Sequence, residues 1–208
     1  MSDRKEIHIL GGGTVYHIRN HLALTAPAYG NTARDIFDIL MFKELSSSEW
    51  TVKEHLTKIA SSGISTLETN QDVSDLIDKL IANKNVKIIF FNVELIDYEE
   101  ILKTSECDRT VRLTPAAKLI GKMRKERKDI FLVGFKTTCG SSEDDQFLTG
   151  LNLLKSASCN IVLANDTKTS LNMIITPEQA RYCVTTDRCD VLKELVDITL
   201  EQCNKIYR

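Results

Sequence analysis

A chain of 208 residues with 42% hydrophobic and 27% charged content can bury one sizeable core, and a single domain spanning 1–208 accounts for all of it. The formal net charge of −2 supplies no basic field, which sets aside nucleic acid and anionic membrane surfaces as partners. Apolar runs such as VKIIFFNVELI fall far short of the roughly 20 residues that cross a bilayer, and MSDRKEIHIL has too little apolar length for a signal peptide, so a cytoplasmic location is expected.

In chain order, EIHIL (6–10) alternates and is β-branched, which predicts a strand running into the three glycines of GGGT. His17 and His21 lie four apart and could share a helix face, but no acidic third ligand has a matching spacing, which argues against a metal there. NTARDIFDILMFKEL places Ala33, Ile36, Phe37, Leu40 and Met41 at helical steps, with Asn31 or Thr32 as cap. TVKEHLTKIASSG fits a helix with a Thr51/Glu54 capping box, and its Trp50, Val52, Glu54, Leu56 alternation equally fits a strand. ISTLET resembles a strand. NQDVSDLIDKLIANKN predicts a helix capped by Asn70.

VKIIFFNV, DIFLVGF and NIVLAND are continuous apolar runs, as expected of strands covered on both faces. Between and after them, PAAKLIGKMRKERK predicts a cationic helix starting at Pro115, EDDQFLTGLNLLKSA a second and DVLKELVDITLEQCNKI a third. Strands separated by helices imply an α/β, Rossmann-like three-layer sandwich with a mainly parallel sheet. The cysteines Cys107, Cys139, Cys159, Cys183, Cys189 and Cys203 show no C-x-x-C pair and no zinc spacing, so free, mostly buried thiols are expected.

In such sheets ligands gather at the carboxyl ends of strands. Gly11, Gly12 and Gly13 lack side chains and would let backbone amides approach a phosphate, with the Thr14 hydroxyl as a further donor; a tight turn is the equal alternative. GGGT followed by Val15 and Tyr16 is not G-x-G-x-x-G, no G-K-[ST] occurs, and no Tyr-x-x-x-Lys pair supports a short-chain dehydrogenase.

The succession GGGT, LTAPAYGNTA, FFNVELIDYE, LTPAAKLI, LVGFKTT and VLANDT, spanning almost the whole chain, resembles the phosphopantothenate–cysteine ligase family, the ligase half of the bifunctional bacterial coenzyme A flavoproteins. That family runs GGT, an SNxSSG loop, AVADY, a proline–lysine element, GFxxE and AND. The resemblance implies activation of a phosphopantothenate carboxylate by CTP or ATP with Mg2+ as an acyl nucleotide, then displacement of the nucleotide by the amine of cysteine, in a homodimer. By position it implies that Gly12, Gly13 and Thr14 lie at the triphosphate and that Gly30 keeps the loop glycine. It places Asp97, with Tyr98, at the ribose or the metal, Lys118 in the proline–lysine element, Phe135 at the base, and Asn165 and Asp166 at the nucleotide, while Lys136, where the family pattern departs, stands beside the nucleotide as a cation or simply as a strand-end lysine reaching solvent.

The departures fall on chemistry. Ala26 stands where the family has the asparagine that holds the intermediate, and it offers no donor; Asn20, Asn31 and Asn92 are the nearest substitutes by sequence. No Lys-Ile-Lys follows the AVADY-like segment, where Lys103, Arg109 and Arg112 are the cations present and Lys103 and Arg109 the catalytic candidates. GFKTT lacks the acid of GFxxE, and only Lys155 is available in the helix before AND. Losing one positioned donor in such a site costs about 10²–10³ in rate. Three readings follow: a nucleotide-dependent carboxylate–amine ligase, a relative that binds or sequesters a nucleotide or related metabolite without ligation, and another Rossmann-like enzyme or an interaction protein.

Overall fold

The computed structural model describes residues 4–44, 49–100, 113–115 and 118–207. Strand β1 (Lys5–Gly13) leads into a hairpin of β2 (Val15–Arg19) and β3 (Leu22–Thr25), then into helix α1 (Asn31–Glu44) and strand β4 (Trp50–Leu56). Helix α2 (Asn70–Ala82) precedes β5 (Val86–Glu94), and a small ribbon of β6 (Tyr98–Glu100) and β7 (Leu113–Pro115) precedes α3 (Ile120–Glu126). Then come β8 (Phe131–Thr138), α4 (Glu143–Ala157), β9 (Ile161–Asp166), β10 (Asn172–Ile175), β11 (Arg181–Thr185) and α5 (Arg188–Ile206).

The main sheet has seven strands in the order β11-β10-β9-β8-β5-β1-β4, parallel from β4 to β9 and antiparallel at β10 and β11. Successive residues of the central strands serve opposite layers. Ile7, Ile9, Ile88, Phe90, Phe131 and Val133 pack with Ala33, Ile36 and Leu40 of α1 and Val191 and Leu195 of α5. Leu10, Ile89, Phe91 and Leu132 pack with Val73 and Ile77 of α2, Met123 of α3, and Leu151 and Leu154 of α4. Burial on both faces explains why these strands read as unbroken apolar runs. The fold is an α/β, Rossmann-like three-layer sandwich, and β1 lies between β4 and β5. This is the flavodoxin-like order, whose switch point opens a crevice at the carboxyl ends of the first and third strands.

Several expectations are corrected. Residues 50–56 are an edge strand, settled by parallel pairing of Trp50 with Lys5 and by Val52 and Leu56 packing into the core. ISTLET is not a strand: its Ser65 and Leu67 N–H groups go to side-chain oxygens, Ser61 Oγ and Ser65 Oγ, and its Leu67 and Glu68 carbonyls accept from the N–H groups of Lys58 and Val15 outside any ladder. Helix α2 is capped by Thr69 rather than Asn70, in a capping box with Asp72. The helix expected from Pro115 begins only at Ile120, Pro115 being held in the ribbon. His17 lies on β2 and His21 in the hairpin turn, so they share no helix. Of the described cysteines only Cys159 and Cys203 are buried, Cys139 and Cys189 are exposed, and Cys107 lies outside the described residues. Among the described residues no helix is long and apolar enough to cross a membrane.

Candidate functional site

The glycine segment is strand, not turn. Gly11, Gly12 and Gly13 continue β1 beside β5, with Gly13 opposite Glu94. Their backbone donors are committed: the Gly13 N–H to Ala28 O at 2.8 Å and the Thr14 N–H to Glu94 O at 3.0 Å. The space that a side chain would need is occupied by protein. A Cβ on Gly11 would strike the Ala33 methyl, one on Gly13 the Ala26 carbonyl oxygen, and one on Gly12, at φ +104°, would stand 2.6 Å from the Ala60 methyl. Ala26 is buried, pressed by its backbone onto Gly13. Thr14 is wholly buried; its hydroxyl donates to Asn70 Oδ1 (2.7 Å) and accepts from the Ile96 N–H (3.0 Å). The Asn70 amide also donates to Ile96 O at 2.8 Å. The expected phosphate cradle is therefore a packed joint. Its effect on the site is indirect: Thr14 and Asn70 clamp the chain at Ile96, beside Asp97.

The open space lies next to it. A cavity of about 640 Å³ sits at the carboxyl ends of β5, β8 and β9, facing the N-terminus of α1. Of the sequence candidates, Gly30, Asn92, Asp97, Lys118, Phe135, Lys136 and Asn165 line it, and Asn31 lines it as well; Gly11, Gly12, Gly13, Thr14, Ala26 and Asn20 do not. Lys103 and Arg109 lie outside the described residues. Gly30 holds φ +75°, a conformation that favours glycine, and so turns the chain into α1. The first turn of α1 carries no acidic residue, and its N–H groups at Asn31, Thr32 and Ala33 meet no acceptor among the described residues. Such an end attracts anions.

Around the cavity, Lys118 and Lys136 bring positive charge, and Glu94 and Asp97 bring exposed carboxylates. Phe135 both packs against the α1/α5 core layer and forms part of the wall. Asn165 is oriented by the Thr137 hydroxyl, which donates to its Oδ1 at 3.2 Å. Asp166, its neighbour on the opposite face of the strand, does not reach the cavity. It is 2% exposed, and its carboxylate accepts from the N–H groups of Thr169, Gly140, Ser141 and Lys168 and from the Thr138 hydroxyl. Those donors hold it far below the usual carboxylate range and make it the knot that joins the loops after β8 and β9.

Two residues take roles that their sequence context does not assign them. Asn70 looks like a helix cap and is instead the partner of Thr14. Arg188 lines the cavity from the first position of α5, immediately after the N-cap Asp187. A cation there opposes the helix dipole, and that placement is the signal that could have flagged it.

A second cavity, of about 490 Å³, lies between β4 and α2 and is lined by His55, Asp72 and Asp75 among others. Behind it the polar groups satisfy each other. Glu6 Oε2 meets His8 Nε2 at 2.8 Å, and His8 Nδ1 meets His55 Nε2 at 2.8 Å. The two rings are nearly coplanar (5°) with centroids 5.1 Å apart, the geometry of an edge-to-edge hydrogen bond. With Glu6 also accepting from Lys53 (2.7 Å), the carboxylate selects the Nε2–H tautomer of His8, whose bare Nδ1 accepts from His55. Burial pushes both rings below the ordinary histidine value, His55 to about 4, so both are neutral. Among the described residues no group of three or more His, Cys, Asp and Glu is placed to hold a metal.

No family model matches the sequence, and no curated protein matches it. Solved structures do match. The chain superimposes on the DNA/pantothenate metabolism flavoprotein from Streptococcus pneumoniae with a TM-score of 0.77 at 16% identity, over 99% of this chain and 100% of that one. The C-terminal domain of the coenzyme A biosynthesis bifunctional protein CoaBC gives 0.67 at 14% identity, over 100% and 98%. A Cab2 variant in complex with phosphopantothenate-cysteine gives 0.69 at 13% identity, over 98% and 87%. At these identities the likeness establishes the fold alone, which this chain shares with all three.

Proposed function

We propose that the cavity at the tips of β5, β8 and β9 is the active site of a nucleotide-dependent carboxylate–amine ligase of the phosphopantothenate–cysteine type. One observation carries this reading: residues scattered from Gly30 to Asn165, set in order by the sequence resemblance, line a single cavity at the carboxyl ends of β5, β8 and β9, facing the start of α1, in a chain with the fold of a pantothenate metabolism flavoprotein. In the proposed reaction a carboxylate oxygen of 4'-phosphopantothenate attacks the α-phosphorus of CTP or ATP and pyrophosphate leaves. The amine of cysteine then attacks the acyl carbon, and the nucleoside monophosphate leaves with the acyl–oxygen bond pair.

The chain's own contribution is placement and charge. Lys118 and Lys136, with the open N–H groups of α1, offset polyphosphate charge in a partly enclosed space where such interactions exceed their strength in water. Phe135 walls the base, and Asn165 donates to the nucleotide. Asn31 and Asn92 line the cavity and supply the amide donor that Ala26 lacks, serving the acyl nucleotide from another direction. Asp97 with Glu94 suits Mg2+, which takes one or two carboxylates plus substrate phosphates and, when bound, neutralises charge on the phosphates. A homodimer is part of the same proposal, checked by a sedimentation mass twice that of the chain.

The deciding experiment is incubation with 4'-phosphopantothenate, cysteine, CTP and Mg2+, with mass analysis of the products. Formation of phosphopantothenoylcysteine with CMP and pyrophosphate supports the ligase. Clear binding of CTP without turnover overturns it and leaves the second reading, a binder without ligation, which the buried, donor-free Ala26 favours.

A further inference from the structure

We propose that Arg188 is the phosphate anchor of this cavity, a guanidinium set in advance to grip a phosphate group of the substrate. The inference rests on the substrate site placed in this cavity above. Arg188 opens α5, where the dipole opposes a cation, and its side chain lines the cavity beside the start of α1. It is only partly exposed, and burial pushes its guanidinium down, with Asp35 acting the other way through space. Among the described residues no carboxylate comes within ion-pair distance of it.

What holds it is neutral. Its Nη1 donates to Asn172 Oδ1 at 2.6 Å and its Nη2 to the Thr32 hydroxyl at 2.9 Å. Those bonds tie the guanidinium between β10 and the first turn of α1, and they take two of its five N–H groups. The Nε–H and one N–H on each terminal nitrogen are left. A partly buried cation that, among the described residues, has no carboxylate at ion-pair distance, is fixed in orientation and has donors to spare is costly unless an anion completes it. A planar fork of this kind matches phosphate oxygens bidentately, which a lysine in its place would not. Thr32 also ties this cation to the N–H groups of α1, so one phosphate can draw on both.

The phosphate can come from the nucleotide or from the phosphorylated acid, and paired ligands separate the two. Binding of CTP against cytidine, of 4'-phosphopantothenate against pantothenate, and of inorganic pyrophosphate is measured by calorimetry for the wild type, Arg188→Gln and Arg188→Lys. Arg188→Gln is expected to weaken one phosphorylated member about 10- to 100-fold and leave its unphosphorylated partner within about 2-fold, with Arg188→Lys intermediate; the pair affected identifies the source. Should Arg188→Gln fail to fold, Arg188→Lys carries the same comparison. Equal loss for both members of each pair, or no loss in either, overturns the inference. Pyrophosphate binding that depends on Arg188, in a protein that takes neither CTP nor phosphopantothenate, sinks the ligase reading and leaves the anchor standing. Binding of both substrates with no dependence on Arg188 does the reverse.

Discussion

The β1/β4 half of the sheet and the β5/β8/β9 half both bring polar and small residues to their surfaces, and they use them in opposite ways. On β1 and at His55 of β4 the suggestive groups turn onto the protein: Gly13 and Thr14 donate to backbone carbonyls, the Thr14 hydroxyl closes on Asn70, and Glu6, His8 and His55 form one chain of hydrogen bonds. At the tips of β5, β8 and β9, Asn92, Asp97, Lys136 and Asn165 close on space, faced by a helix start with free N–H groups and by Arg188. Residue type alone does not separate a joint from a site. An account of where each donor goes does.

The contrast predicts that substitutions in the first half cost stability and those in the second cost binding. The largest effect is expected at Gly13→Val, whose side chain has no room beside the Ala26 carbonyl: a loss of more than about 3 kcal/mol in urea unfolding. A folded Gly13→Val protein that had merely lost CTP binding would return the segment to the role of phosphate cradle. Next is Thr14→Val, which strips the hydroxyl from the Ile96 N–H and Asn70, and is expected to cost about 1–3 kcal/mol by the same measurement.

The histidine pair makes a pH prediction. His55 titrates near 6.5 when unfolded and near 4 when folded, so its contribution is complete above pH 6.5 and is lost as pH falls toward 4, by up to about 2 kcal/mol at pH 5. His8 shifts in the same direction. Denaturation at pH 7.5 and 5 should show the drop, and His55→Gln should flatten it; a drop unchanged in that variant would place the titration elsewhere.

In the open half, Lys136→Ala is expected to weaken CTP about 10-fold, about 1.4 kcal/mol, with the melting temperature held within about 2 °C. Equal loss of stability would mean that Lys136 belongs to the packed class. The smallest effect is expected at Asn20→Ala, in the hairpin turn outside the cavity: within about 0.5 kcal/mol, with CTP affinity unchanged.

Much of the fold was legible because its central strands are buried on both faces, which compresses VKIIFFNV and NIVLAND into apolar runs that few other structures tolerate. The antiparallel edge of β10 and β11 and the β2/β3 hairpin were not, since short strands carry little periodicity and find their partners only in the assembled sheet. Residues 50–56 show the same limit: their pattern suits helix and strand alike, and the free edge of β1 decided between them. In the site, Asn92, Asp97, Lys136 and Asn165 could be marked because each lies at or just past the carboxyl end of a strand, where chain order and spatial order agree. Arg188 shows in the sequence only as a cation that opens a helix, because it reaches the cavity from the far end of the chain.

What the order of residues determined unaided was therefore a parallel, helix-covered sheet and the set of strand ends from which a ligand site could be made, since both follow from local apolar period and from the short reach of strand-to-helix turns. Which of those ends stay open was decided only in the folded chain. The Ala26 carbonyl, the Ala33 and Ala60 methyls and the Asn70 amide, each distant in sequence from the contact it makes, fill the glycine segment, whereas among the described residues the tips beside it border a cavity. Close packing is a property of neighbours in space, and a linear pattern does not carry it.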